Sequence, residues 1–373
     1  MRLASGIETN FDALALAFRK RLDADKPIQI VTYRTYGTQN RLFVKGRVLK
    51  DKGIRGATDK DTVLNNLVSM YKRFESDEIP HARLKIEFQG TPSFTTTDAE
   101  GYFIFHFYTE DPLAWNDMWH ELEVELIESP YSFSEGIRKT AHVLVPPADA
   151  EYGIISDIDD TVVKTTATNL LAMSRNTFFH NAHTRLPFAG VSEFYKSLQL
   201  GRNGKRNNPF FYVSSSPWNL YDLLIDFLDL NDIPEGPLLL RDFGLDAGEE
   251  TSGHMGHKFA AIENILLIYP HLNFVLIGDS GQEDPKIYRE IVSAFPGRIL
   301  AIYIRDVQLT DRERIAIDIS KELVADKVEM VIVDNTVEAA EHAANTGLIY
   351  QEEIPKIEVD KKQDKGEIPG KVS

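Results

Sequence analysis

The stretch "IISDIDDTVVKT" (154–165) decides the fold. A short, wholly apolar run ends on three crowded acids, Asp157, Asp159 and Asp160. Such a run suits a strand buried on both faces, as in a parallel sheet covered by helices. Residues two apart in an extended chain share a face, so Asp157 and Asp159 point into one crevice at the strand end. Their mutual repulsion there requires a raised pKa or a bound cation. A lone D-x-D also fits a solvated turn, so the reading depends on what the other strand ends carry.

Downstream, the same grammar repeats. Apolar strands are expected at 153–157, 210–216 ("FFYVSSS"), 273–280 ("NFVLIGDS"), 299–306 ("ILAIYIRD") and 328–335 ("VEMVIVDN"), separated by helical stretches. This alternation defines a doubly wound α/β domain over residues 148–349. Its site is expected beyond the carboxyl ends of the strands. Those ends carry Asp157 and Asp159, then Ser214 and Ser215, then Asp279. Ser216 and Pro217 read as the N-cap and first residue of a helix, which would turn free amides toward an anion beside Ser214 and Ser215. Three carboxylates from two strands favour Mg²⁺, which takes oxygen ligands and leaves positions for water and phosphate. Asp284, in the glycine-bounded loop "GDSGQEDP" (278–285), is a second acidic anchor. Lys258, in "GHMGHKFAAIENIL" (253–266), can offset carboxylate charge and meet a phosphate, although most lysines are simply solvated.

Upstream, the pattern has period two. The segments 41–50 ("RLFVKGRVLK"), 82–90, 101–109 ("GYFIFHFYT"), 119–127 and 141–147 read as half-buried strands. Residues 26–147 are therefore expected to form an antiparallel β-sandwich. A helical insert is expected at 61–76 and a short helical segment at 1–25. The polar, aperiodic stretch 350–373 reads as a disordered tail. Of 373 residues, 43% are hydrophobic and 26% charged, enough for two cores at roughly 100–200 residues per domain. The formal charge of -16, from 57 acids against 41 Lys and Arg, argues against nonspecific nucleic-acid binding and weakens a case for anionic membranes. With no cysteine, disulfides, thiolate catalysis and cysteine-rich zinc sites are excluded. No signal-like or spanning apolar run occurs, so a cytoplasmic protein is expected, with room for peripheral membrane contact.

Taken together, these residues resemble the haloacid dehalogenase-like phosphohydrolase superfamily. The motifs appear in order: Asp157, Asp159 and Thr161 as D-x-D-x-T; Ser214 ending the second strand; Lys258; and Gly278, Asp279 and Asp284 as G-D-x-x-x-x-D. "DIDDTVVKT", "LPFAGVSEFYKSL", "YVSSSPWNLYDLL", "LLLRDFG" and "VLIGDSGQEDPKIY" further resemble the phosphatidate phosphatase catalytic domain of the fungal actin-patch-associated family and its bacterial relatives.

The resemblance implies Asp157 as nucleophile and Asp159 as the acid and base that protonates the leaving alkoxide and then activates water. It implies phosphoryl contacts from Thr161, Ser214, Ser215 and Lys258. Mg²⁺ would be held by Asp157, the Asp159 carbonyl and Asp279, with Asp284 orienting its water. The substrate class implied is a phosphomonoester, either phosphatidate or a soluble ester such as a sugar phosphate, nucleotide or phosphoprotein. A different class of reading makes the β-sandwich a binding or regulatory module. Asp160, Lys164, Arg241 and His254 receive no role. The pairs His180/His183 and His254/His257 have metal-like spacing but no third ligand. The stretch 168–188, with Leu170, Leu171, Met173, Phe178 and Phe179, reads as a lid, a lipid-facing surface or ordinary packing.

Overall fold

The computed structural model describes residues 27–50, 78–113, 117–158, 189–241, 254–307 and 310–369. The expected helices at 1–25 and 61–76 and the stretch 168–188 lie outside the described residues, as do His180 and His183.

The N-terminal part is β. Strands β1 (Ile28–Thr32), β3 (Arg41–Lys50) and β6 (Tyr102–Tyr108) form one sheet. Strands β2 (Thr35–Tyr36), β8 (Arg138–Leu144), β7 (Trp119–Glu128), β4 (Arg83–Phe88) and β5 (Thr91–Thr96) form a second, in that spatial order. All pairings are antiparallel except the short β2–β8 contact. Alternation sends Leu42, Val44, Phe103, Phe105 and Phe107 of the first sheet against Leu84, Ile86, Val124, Leu126 and Val143 of the second. That shared apolar layer makes the two sheets a sandwich.

Beyond it, six strands pair in parallel: β9 (Gly153–Asp157), β10 (Phe210–Pro217), β11 (Leu238–Arg241), β12 (Phe274–Asp279), β13 (Ile299–Arg305) and β14 (Glu329–Val333). Their spatial order is β11-β10-β9-β12-β13-β14. The chain winds outward from β9 in one direction, returns, and winds outward from β12 in the other. The order therefore reverses between β9 and β12, and the crevice beyond the carboxyl ends of those two strands is the place such a sheet offers a ligand.

Successive strand residues face opposite layers, and this sorts the helices. Ile154, Tyr212, Val275 and Ile277 pack with α1 (Val191–Leu200), α2 (Tyr221–Leu230), α6 (Thr336–Asn345) and α7 (Ile354–Asp364). Ile155, Phe211, Val213 and Leu276 pack with α3 (His254–Ile268), α4 (Asp284–Ala294) and α5 (Thr310–Leu323). Both faces are covered, which is why the strands are continuously apolar.

Two expectations need correcting. The stretch taken as a disordered tail contains α7, whose Ile357 is fully buried in the layer containing α1 and α6. One buried isoleucine per three turns is too sparse a signal to stand out against the surrounding charge. Ser216 and Pro217 do not start a helix: β10 continues extended through Pro217 after a register break at Val213, a 3₁₀ turn follows at Trp218–Leu220, and α2 begins at Tyr221.

The two parts of the chain share their cores. Tyr33 and Tyr102 of the sandwich pack in the α1/α2 layer, and Tyr36 and Leu144 in the α3/α4 layer. Across this junction Tyr221 Oη accepts the Arg34 N–H at 2.6 Å, Asn264 donates to Tyr36 Oη at 2.9 Å, and Tyr269 Oη donates to the Gly37 carbonyl at 2.9 Å.

Candidate active site

Asp157 is the last residue of β9, and period two places it on the same face as Ile155, toward α3 and α4. Its neighbour Ser156 points to the other face, where its hydroxyl meets Tyr195 Oη of α1 at 2.7 Å. Asp279 ends β12 on the other side of the reversal, and Asp284 opens α4. A carboxylate in the first turn faces the positive end of the helix dipole. Pro285, at the start of the same helix, fits where an N–H has no partner within the helix.

These three acids converge. One carboxylate oxygen from each of Asp157, Asp279 and Asp284 lies within 4.8 Å of the others, and all three side chains are buried. Lys258, in the second turn of α3 and only 3% exposed, stands between two of them, with Nζ 2.7 Å from Asp157 Oδ1 and 2.7 Å from Asp284 Oδ1. It also donates to Gln282 Oε1 at 3.1 Å. Burial pulls the lysine pKa down, but the charges of Asp157 and Asp284 outweigh that and leave it well above its usual value, so it is cationic.

The loop between β12 and α4 is shaped by its own acids. Asp279 Oδ1 accepts the N–H groups of Gly281 (2.6 Å) and Gln282 (3.0 Å). Asp284 Oδ2 accepts the Asp279 N–H at 3.2 Å, folding the far end of the loop back onto its start. This closeness explains Gly278: a Cβ there would sit 2.5 Å from Asp284 Oδ2 and 2.9 Å from Tyr288 Oη. Ser280 ties the loop to the next strand end, its N–H reaching the Arg305 carbonyl and its hydroxyl reaching Asp306 at 3.2 Å.

Ser214 lies near the end of β10, fully buried, and its Oγ accepts the Ser216 N–H at 3.0 Å. That bond tightens the turn leading out of the strand. Ser215 is half-buried beside it, and Arg241 ends β11 at the same edge of the sheet.

Thus Asp157, Lys258, Asp279 and Asp284 are brought into one cluster, and Ser214 ends the strand beside β9. Asp159, Asp160, Thr161 and Lys164 lie outside the described residues. Gln282, Ser280 and Tyr288 were not singled out by sequence. Gln282 sits inside the quoted acidic loop, but an amide there has no distinguishing spacing.

The donor set fits a hard divalent cation. Three buried carboxylates against one buried lysine leave an excess of negative charge, which a low-dielectric site does not carry unless protonated or neutralised. All three offer oxygen, the ligand type of Mg²⁺ and Ca²⁺.

Fold and cluster together define a doubly wound α/β unit with an acidic, cation-ready crevice at its point of strand reversal. Its sequence goes further: residues 152–306 match the family model described as "Phosphatidate phosphatase APP1, catalytic domain". The phosphatidate phosphatase APP1 of Saccharomyces cerevisiae is 37% identical over 155 residues, which is 41% of this chain and 25% of that protein. An uncharacterized protein of Schizosaccharomyces pombe is 29% identical over 218 residues, 57% of this chain and 34% of that protein. The chain thus spans between a quarter and about a third of the lengths of these relatives. A carbohydrate acetylesterase from Xanthomonas citri aligns with 86% of this chain and 74% of its own at 11% identity, but its TM-score of 0.27 carries no weight for the fold.

Proposed function

We propose that the chain is a Mg²⁺-dependent phosphomonoesterase of haloacid dehalogenase-like architecture, acting on phosphatidate to give diacylglycerol and phosphate. The observation that supports it most is the meeting of Asp157, Lys258, Asp279 and Asp284 at the reversal between β9 and β12. Every member of that cluster lies inside the segment similar to the catalytic domain.

Asp157, Asp279 and Asp284 would hold the cation, which when bound neutralises carboxylate and phosphoryl charge and polarises the ester for attack. A carboxylate oxygen of Asp157 bonds to phosphorus while the bond from phosphorus to the ester oxygen breaks, leaving an aspartyl-phosphate and an alkoxide. Asp159 donates the proton that the alkoxide takes up. As carboxylate, it then removes a proton from water, whose oxygen bonds to phosphorus and releases phosphate and free Asp157.

Lys258 already contacts Asp157 and is placed to follow the charge as it moves from carboxylate to phosphoryl oxygen. Ser214, Ser215 and Thr161 supply hydroxyl and amide donors to the remaining oxygens. Positioning and charge neutralisation of this kind carry most of phosphoryl-transfer catalysis.

The net charge of -16 favours the second reading, a soluble phosphomonoester, because an acidic protein gains nothing from an anionic surface. Turnover of phosphatidate in mixed micelles beside a panel of sugar phosphates, nucleotides and a phosphopeptide, with Mg²⁺ and with EDTA, separates the two. Phosphatidate is expected to be the preferred substrate, with EDTA abolishing turnover. A soluble ester preferred by a wide margin would move the substrate to the second reading, and turnover unaffected by EDTA would remove the cation from the mechanism.

A further inference from the structure

The β-sandwich reaches the end of β10. Trp218 immediately follows the last residue of that strand and lies four positions after Ser214. Its indole is held from the sandwich side by two consecutive features. The ring of Tyr33, itself 4% exposed, lies with its centroid 4.5 Å from that of Trp218, and Lys45 Nζ of β3 lies 4.5 Å from the Trp218 ring centroid.

The Tyr33 N–H donates to the Lys45 carbonyl at 3.0 Å, so the two gripping residues are tied at the backbone. Tyr221, at the head of α2, completes the grip. Its ring lies 4.6 Å from Tyr33 and 5.8 Å from Trp218, and its hydroxyl accepts the Arg34 N–H. Behind these, Lys45 also faces the Tyr102 ring at 5.4 Å, and Arg47 stacks on the same ring at 4.5 Å.

Nothing in the sandwich's own folding calls for this arrangement. Its core lies between its two sheets and does not include Tyr33 or Trp218. What the grip does fix is the exit of β10. Between Val213 and Pro217 the strand loses register with β11, so its backbone there is held by fewer ladder bonds than a regular strand end, and Ser214 sits inside that interval. The Ser216 N–H to Ser214 Oγ bond holds the interval from within. Trp218, anchored by Tyr33 and Lys45, holds it from its far end.

We infer that the β-sandwich is a positioning part of the phosphate site: Tyr33 and Lys45 clamp Trp218 and thereby set the Ser214–Pro217 turn that receives phosphoryl oxygens. This deepens the phosphatase reading and rests on it. Lys45 and Tyr33 are positioning residues, since they act through Trp218 and not on the substrate. A half-buried cation over a ring face is worth enough that its loss should weaken what it positions by about tenfold.

The test uses the full chain and inorganic phosphate with Mg²⁺ as probe. The protein is labelled with 5-fluorotryptophan, and the ¹⁹F signal of Trp218 among the three tryptophans is assigned with Trp218→Phe. In the wild type, phosphate is expected to shift the Trp218 signal, and a phosphate monoester is turned over. Lys45→Met keeps the apolar stem and removes the charge; it is expected to weaken phosphate binding and lower kcat/KM by roughly tenfold each. Lys45→Arg, which restores a cation over the ring, should return both to within about twofold. Lys85→Met, a charge removal on β4 of the same sandwich, should change neither. Melting temperature is followed for each variant, because a purely structural role would lower stability in Lys45→Met without the rescue in binding.

Wild-type affinity and turnover in a folded Lys45→Met, or a Trp218 signal indifferent to phosphate that the protein demonstrably binds, overturns the clamp while leaving the phosphatase reading intact. A wild type that neither binds phosphate nor hydrolyses any ester overturns the phosphatase reading, and the clamp with it. Should Lys45→Met fail to fold, Tyr33→Phe and Tyr33→Leu put the same question: the ring-preserving variant should keep phosphate affinity and the ring-removing one lose it, and equal affinities would overturn the clamp.

Discussion

At the scale of single residues, the cluster is an electrostatic argument with Lys258 at its centre. Its ammonium stands 2.7 Å from both Asp157 and Asp284, all three nearly without solvent exposure. Removing one partner of a buried ion pair costs about 3–5 kcal/mol, since the remaining charges keep their desolvation penalty and lose their compensation. Lys258→Met is thus expected to lower the melting temperature measured without divalent cations. Added Mg²⁺ should recover part of that loss, more than it raises the wild type, because the variant has one more uncompensated carboxylate charge. Differential scanning calorimetry with and without Mg²⁺ measures both shifts. Equal Mg²⁺ effects in variant and wild type would mean that the three acids do not form one cation site.

At the scale of elements, most of the chain was legible because periodicity reports burial. β3 and β9 fall on their expected bounds, 41–50 and 153–157, and β6, β7, β10, β12 and β13 within one residue at each end. What was missed has physical reasons. β5 reads "TPSFTT", lies at the edge of its sheet and buries almost nothing, so no alternation marks it. β11 is only four residues long, and β2 two. The acids at 157, 279 and 284 were legible as chemistry, because two carboxylates at strand ends and a third in the loop after one of them have no apolar explanation. Gln282 was not, because its place beside Lys258 depends on how the loop folds back on itself. The clamp on Trp218 was equally hidden, since it joins residues more than 170 positions apart.

The C-terminal helix α7 was read as a tail, and it carries its own expectation. Ile357 is its buried anchor, so Ile357→Ala should cost about 2–4 kcal/mol by removing buried methyl groups and leaving a cavity. Turnover at a temperature where the variant is folded should be unchanged. A urea melt reads the first and a rate assay the second; a cost below about 0.5 kcal/mol would mean that α7 adds little to the fold.

For the molecule as a whole, the two parts are joined by tyrosines, and this sets how it fails at high pH. Burial pushes Tyr36 up to about 12, and burial also raises Tyr33, Tyr212, Tyr221, Tyr269 and Tyr288. In the unfolded chain a tyrosine ionises near pH 10. Between that value and the folded one, the unfolded state has lost protons that the native state still holds, so stability falls as pH rises. The tyrosines' contribution is full below about pH 10 and drains away above it. Melting temperature is expected to hold between pH 7 and 9 and to drop steeply above about pH 10, with the exposed Tyr108 ionising in the folded state and the buried tyrosines' share of the tyrosinate absorbance appearing together with unfolding. The full tyrosinate absorbance appearing before unfolding would show that these rings are not buried.

In the proposed reaction Asp157, at the reversal of the parallel sheet, attacks phosphorus. Its most direct measurement is the turnover of a phosphate monoester with Mg²⁺ by the wild type and by Asp157→Asn, a substitution that keeps shape and removes the nucleophilic charge. The variant is expected to remain folded and to lose activity by on the order of a thousandfold or more. Turnover retained in Asp157→Asn at a comparable rate would contradict it.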